Sequence, residues 1–280
     1  MDTILNNGVK MPMIGFGVYQ IDPAETERCV CDAVEVGYRS IDTAAVYLNE
    51  AEVGAAIRHC GVPREELFIT TKLWVQDAGY DAAKKAAEES LRKLGVDYFD
   101  LYLIHQPIRD YFGSWRALEE LYRQGKCRAI GVANFYPDHL ANLMLCAEVT
   151  PQVNQIETHP YFQRTADQAF MKERNVQHES WGPFAEGRNN LFSDPVLGAV
   201  AAKYGKSIPQ VVLRWLLQRG VVVIPKSVHR ERMAQNFDVL SFELDEEDMA
   251  TIARLDTGKS AFFDHHDGKI VQWIGEMKIH

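Results

Sequence analysis

The sequence contains no run of about 18 apolar residues, so no segment of it reads as a membrane span. It also has no excess of positive charge. Its 30 Lys+Arg stand against 39 Asp+Glu, a formal net charge of -9, whereas proteins that bind long polyanions carry a basic face. That balance excludes nucleic acid as the general partner but leaves room for a local basic pocket. The stretch from Met1 to Lys10 lacks a basic segment followed by an apolar one and does not read as a secretion signal. Cysteine is scarce: five residues, at 29, 31, 60, 127 and 146, with no CxxC and no Cys/His pair at zinc-ligand spacing. HxH and HExxH are missing too, so no metal site is expected. Reduced thiols in a reducing cytoplasm are the plain expectation.

What is present is a rhythm. With 46% hydrophobic and 25% charged residues the chain can bury a full core, and short β-rich runs alternate with longer helical patterns. Asp22-Pro23-Ala24-Glu25 supplies a cap, a proline for the first turn and a carboxylate, and Gly37 stops the helix that follows. The run 38–41 reads as a strand ending at Asp42, and 50–59 as a helix closed by Gly61 and Pro63. Strands are expected over 67–72, 101–105, 128–132, 152–155, 176–181 and 221–224, with an opening strand at 13–15. Helices fall between them, the clearest over 81–94, where Lys84/Glu88, Lys85/Glu89, Glu88/Arg92 and Glu89/Lys93 predict i,i+4 pairs on a solvated face. Eight β/α alternations in about 250 residues are the arithmetic of a (β/α)8 TIM barrel, an α/β fold, here as a single domain over 1–280. A doubly wound sheet would carry GxGxxG after its first strand, but Gly15-Phe16-Gly17-Val18-Tyr19-Gln20 has only the first two glycines.

In such a barrel, chemistry gathers where strands end and βα loops begin. Asp42, Lys72 and His105 end three successive strands, and Tyr47 lies in the loop after the first of them. Together they form a proton-transfer set: a phenol, an ammonium to lower its pKa, a carboxylate to keep that ammonium charged, and an imidazole to polarise an oxygen. The later strands run into Asn134, Gln155, Trp181, and Lys226 with Ser227. A barrel hydrolase is disfavoured because no metal ligands are present.

These residues carry a family resemblance over essentially the whole chain. Gly37-Tyr38-Arg39-Ser40-Ile41-Asp42-Thr43-Ala44 with Tyr47, Thr71-Lys72, Leu101-Tyr102-Leu103-Ile104-His105, and Val223-Ile224-Pro225-Lys226-Ser227 with Arg232 and Asn236 resemble the motifs of the aldo-keto reductases. Glu179-Ser180-Trp181-Gly182-Pro183-Phe184-Ala185-Glu186-Gly187 is similar to the branch that includes 2,5-diketo-D-gluconate reductases and a prostaglandin F synthase. The resemblance implies NADPH-dependent reduction of aldehydes or ketones. A short N-terminal β-hairpin and a C-terminal loop over the barrel mouth come with it, as does a monomeric cytoplasmic enzyme with no nucleic-acid or membrane partner. It assigns Tyr47 as general acid, Lys72 and Asp42 as the groups that tune it, and His105 as the donor that orients the carbonyl. NADPH/NADP+ is assigned to Ala133, Asn134, Gln155, Trp181, Gly182 and Phe184 around the nicotinamide side, and to Lys226, Ser227, Arg232 and Asn236 around the 2′-phosphate and adenine. Forked, charged donors suit a phosphate, which favours NADP(H) over NAD(H). Tyr19, Trp74, Gln106 and Tyr111 are the expected substrate pocket.

Two departures from the family pattern stand out. Ala133 replaces the usual Ser before Asn134, which removes one expected hydrogen bond to the cofactor, about 0.5–1.5 kcal/mol. Gln106 replaces a Trp common after the histidine and so changes a pocket wall. Some relatives of this family act as NADPH-sensing channel subunits, a role expected to come with an added N-terminal segment. The adjacent His265 and His266 in the tail are expected to form a solvated loop.

Overall fold

The computed structural model describes residues 1–280. An antiparallel hairpin comes first, β1 (Asp2–Ile4) with β2 (Lys10–Pro12). Its turn is anchored by Asn6 and Asn7, whose side-chain amides donate to Pro151 O and Arg128 O at the N-terminal ends of later strands. The hairpin therefore covers the bottom of the molecule, away from the strand ends where polar residues gather.

Eight parallel strands follow: β3 (Phe16–Gly17), β4 (Ser40–Asp42), β5 (Phe68–Leu73), β6 (Phe99–Ile104), β7 (Cys127–Ala133), β8 (Val153–Glu157), β9 (Gln177–Trp181) and β10 (Val222–Val223). Each pairs with its neighbour in chain order. The sheet closes on itself through Gly15 N donating to Val223 O at 2.8 Å and Val223 N donating to Met13 O at 3.0 Å. The opening strand expected at 13–15 is thus displaced. Residues 13–15 hold β10, whereas the residues paired with β4 are Phe16 and Gly17. The glycines of the incomplete GxG motif serve this closure, since a Cβ at Gly17 would stand 2.9 Å from Ile224 O.

Helices α1 (Pro23–Val36), α2 (Glu50–His59), α3 (Tyr80–Leu94), α4 (Tyr111–Arg123), α5 (Pro137–Cys146), α6 (Thr165–Lys172), α7 (Pro195–Tyr204), α8 (Ile208–Gln218) and α9 (Arg230–Phe237) surround the barrel. The caps read from sequence do their work: Asp22 Oδ1 accepts from Ala24 N, and Gly37 turns the chain at φ +128°. Of the i,i+4 pairs expected on α3, Glu89/Lys93 forms at 3.9 Å, and the other charges find different partners. Arg92 meets Glu89 at 2.6 Å three residues away, and Lys84 reaches Glu120 on α4 at 2.7 Å.

Helix α7 has no counterpart among the helices expected from the sequence, for a physical reason. Its residues are apolar all round, so the helical period is hidden, and only Asp194 accepting from Val196 N and Leu197 N marks its start. After α10 (Glu246–Ala253), the tail expected as a loop over the mouth ends in a helix, α11 (Gly268–Glu276). No helix is long and apolar enough to cross a membrane.

Candidate active site

Alternation along the strands sends every second side chain into the barrel. Near the C-terminal ends those inward positions are polar. Asp42 closes β4 and Lys72 lies in β5, both almost fully buried. Lys72 Nζ donates to Asp42 Oδ1 at 2.5 Å and to Thr43 O at 2.9 Å. Gln155 reaches across from β8 and donates through Nε2 to Asp42 Oδ2 at 2.9 Å and to Glu179 Oε2 on β9 at 3.0 Å. Contacts between strands on opposite sides of the sheet are possible only inside a closed barrel. Gly131, where a Cβ would lie 2.5 Å from Val153 O and 2.8 Å from Leu103 Cδ2, keeps the interior narrow enough for them.

Above this layer the short helical turn Ala45–Tyr47 presents the half-buried Tyr47. Its ring centre is 5.1 Å from Lys72 Nζ, 5.8 Å from the His105 ring and 4.9 Å from Tyr19. His105 follows β6 directly and meets Trp74 edge-on at 5.2 Å. Its Nδ1 is buried with no partner. The four residues expected to move a proton are therefore brought together.

Their electrostatics follow from burial and from one another. Burial works against the charge on Lys72, but Asp42 and then Tyr47 outweigh it, and its pKa is raised. Burial, with Lys72 and His265 nearby, holds His105 well below the usual imidazole range, so the ring is neutral. Asp42 keeps the ammonium in place through a direct ion pair. Lys72 lowers the Tyr47 phenol, as expected, through its charge and a hydrogen bond, but burial outweighs it and pushes the pKa up to about 12. Asp42 also raises the phenol, by less than the Lys72 charge lowers it.

The expected cofactor residues line one side of the mouth. Trp181 ends β9, half-buried, and its Nε1 donates to Asn134 Oδ1 at 2.8 Å. Asn134, in the left-handed region at φ +63°, donates through Nδ2 to His105 O at 3.0 Å. Gln155 spends its amino group inside the barrel, so only its carbonyl oxygen is left for a ligand. Ala133 is buried at the end of β7 and offers no side-chain donor. Gly182, at φ +60°, and Phe184 open a loop that keeps Ala185, Glu186, Gly187, Asn189 and Asn190 at positive φ.

At the end of β10, Ser227 Oγ accepts from His229 N at 3.1 Å and turns the chain into α9. Lys226, in the loop that leads to that helix, and Arg232, in its first turn, are exposed and make no salt bridge, while Arg230 is already paired with Glu35 and Asp32. Asn236 is buried on the same helix. Two unpaired cations at a helix N-terminus fit a phosphate, so the chemistry of these residues suits a phosphorylated dinucleotide.

Of the expected pocket residues, Tyr19 packs on Tyr47 and Trp74 on His105. Gln106 is buried with Oε1 unpartnered. Tyr111 instead packs on Phe112, Phe135 and His139, and no contact ties its ring to Tyr47 or His105.

The tail adds residues the sequence reading did not use. Glu157, at the end of β8, accepts from Ser260 Oγ at 2.6 Å and from Ala261 N at 2.8 Å, which starts the tail across the mouth. Phe262 then lies against Trp181 at 5.1 Å. His265 is buried, not solvated as expected. It packs on Phe263 and Tyr136, neither ring nitrogen has a partner, and burial with Arg164 lowers its pKa to about 4. The tail is sealed down by Trp74 Nε1 donating to Met277 O and Arg109 donating to Gly275 O, each at 3.0 Å.

Residues 13–257 match the Aldo/keto reductase family. The chain is 49% identical over 257 residues to the glyoxal reductase of Bacillus subtilis, covering 91% of this chain and 92% of that one. A crystal structure of an aldo-keto reductase from a Medee basin deep-sea metagenome library superposes with a TM-score of 0.92 at 45% identity, covering 95% and 98% of the two chains. A Bombyx mori aldo-keto reductase crystallised in complex with NADP gives 0.90 at 35% identity, covering 94% and 95%. The chain belongs to the aldo/keto reductase family. It is an NADP(H)-dependent oxidoreductase that reduces carbonyl compounds.

Proposed function

We propose that this chain, folded as one barrel domain over 1–280, reduces small aldehydes and ketones that carry a second oxygen function, glyoxal-like dicarbonyls foremost. The observation that carries the reading is the convergence of Asp42, Lys72, Tyr47 and His105 at the C-terminal ends of successive strands. Bound NADPH supplies the hydride. His105, neutral and held edge-on to Trp74, donates a hydrogen bond to the carbonyl oxygen and fixes its direction. Tyr47 donates its proton to the same oxygen as negative charge develops there. Lys72, kept charged by Asp42, stabilises the phenolate left behind.

Lys226 and Arg232, both unpaired, hold the 2′-phosphate, with Ser227 and Asn236 beside them. Trp181 offers its half-buried ring to the nicotinamide, and Asn134 and the free oxygen of Gln155 face its carboxamide. Trp74, Tyr19 and Gln106 wall the substrate. Gln106, next to His105 in the chain, and His265, close enough to act on His105, carry buried polar atoms without partners, which suits a ligand with more than one oxygen. Similarity to a glyoxal reductase supports the same class. The five cysteines form no disulfide, in keeping with a reducing compartment, and a monomer in the cytoplasm is the proposed working form.

A panel of carbonyl compounds at fixed NADPH tests the reading. Glyoxal and methylglyoxal should give a higher kcat/KM than alkyl aldehydes of equal length. A preference for the alkyl aldehydes would contradict the substrate class.

A further inference from the structure

Glu179 belongs to the buried layer but takes no part in the proton transfer just described. It lies on β9 two residues before Trp181, so both side chains point into the barrel, Glu179 one layer deeper. It is 1% exposed. Gln155 bridges its carboxylate to that of Asp42, and Asp42 holds Lys72. The layer therefore contains two acids, from β4 and β9, and one base, from β5. The residue that pairs with Glu179 from β10 is Val222, which adds no charge. His105 and Tyr47 above are neutral at pH 7. If both acids ionised, a buried cluster would carry uncompensated negative charge, which a low-dielectric interior resists. Burial and then Asp42 push Glu179 up to about 8, against Gln155 and Lys72. Around neutrality it keeps its proton, ready to lose it if a positive charge arrives nearby.

The family reaction makes such a charge, because oxidation of NADPH turns a neutral ring into a cation. With Trp181 as the ring's partner, an assignment that rests on the function proposed above, that cation forms one layer above Glu179. We propose that Glu179 is a charge-compensating group for the oxidised cofactor: it releases its proton to solvent when NADP+ occupies the site and regains it when NADPH does. Only its O–H bond breaks and re-forms, and the electrons of hydride transfer do not pass through it. The sign follows. NADP+ favours ionised Glu179, so affinity for NADP+ relative to NADPH increases as pH rises, and it levels off above the pKa of the NADPH-bound form.

Calorimetric titration of the wild-type protein with NADP+ and, separately, NADPH, near pH 7.5 in two buffers of different ionisation enthalpy, counts the protons directly. The 2′-phosphate is common to both ligands and cancels in the difference. NADP+ should release roughly half a proton more than NADPH, and the ratio of the two affinities should climb roughly tenfold between about pH 6 and 9, as a one-unit pKa shift requires. In Glu179→Gln both differences should vanish while both ligands still bind. Equal proton counts for the two ligands in the wild type would overturn the proposal, as would a difference that survives in Glu179→Gln. Failure of either ligand to bind would instead overturn the cofactor placement on which it rests. The wild-type titration decides the matter alone if the variant does not fold.

Discussion

At the scale of single residues, Tyr47 keeps its proton far into the alkaline range because burial outweighs the field of Lys72. For reduction that is no handicap, since the alkoxide formed by hydride addition is a far stronger base than a phenolate and takes the proton readily. The reverse reaction needs the phenolate. With the pKa raised, the phenol is fully protonated below it, so kcat for carbonyl reduction should stay flat from about pH 6 to 9 while alcohol oxidation rises with pH over that range. Steady-state rates in both directions at saturating cofactor check this, and a reductive kcat falling tenfold per unit above about pH 8 would contradict it. Tyr47, His105, Lys72 and Asp42 were legible in the sequence because residue type and strand-end position suffice to nominate them. Glu179 was not, because one acid among the polar residues of Gln177–Trp181 has nothing to set it apart until the closed barrel places Gln155 between it and Asp42. The direction of the Tyr47 shift was hidden for a related reason: sequence names the neighbouring ammonium but not the burial that overrules it.

At the scale of elements, α9 and the tail decide what enters the mouth. The basic cluster around α9 divides into Arg230, committed to Glu35 and Asp32, and the unpaired Lys226 and Arg232. Adjacency in sequence could not make that division, because the carboxylates that occupy Arg230 come from α1. Arg232→Ala should weaken NADPH about 10- to 100-fold, the worth of a charge-assisted hydrogen bond, and leave NADH within about twofold. Fluorescence titration with both cofactors measures it, and equal losses would place the phosphate elsewhere. The tail's course was also hidden. Its fixing points, Glu157 to Ala261 and Trp74 to Met277, join residues about a hundred or more positions apart and leave no local pattern. The β/α alternation needed no such partners, since periodicity and caps within each segment announce it.

At the scale of the whole molecule, the two ends of the barrel have different duties. The bottom is held by charge that plays no part in the chemistry. Asp100, fully buried at the start of β6, accepts from Ile69 N at 2.9 Å and pairs with Arg64 at 2.7 Å and Arg128 at 2.6 Å. Asp100→Ala should cost about 2–3 kcal/mol, less than a fully buried pair because Arg128 is 42% exposed and can rehydrate. Urea unfolding should show that loss while KM for NADPH and carbonyl stays unchanged. A protein of net charge -9 thus keeps Lys226 and Arg232 unpaired at the top, where an anionic cofactor would be met, and neutralises Arg64 and Arg128 at the bottom. The central claim, carbonyl reduction with Tyr47 as proton donor, is tested most directly by following NADPH consumption with glyoxal for wild type and Tyr47→Phe side by side, with NADPH affinity measured on both. The account predicts turnover by the wild type, a kcat roughly 10²–10⁴-fold lower in the variant, and unchanged NADPH binding. A variant that keeps most of its kcat, or a wild type that binds NADPH without consuming it, would contradict the account.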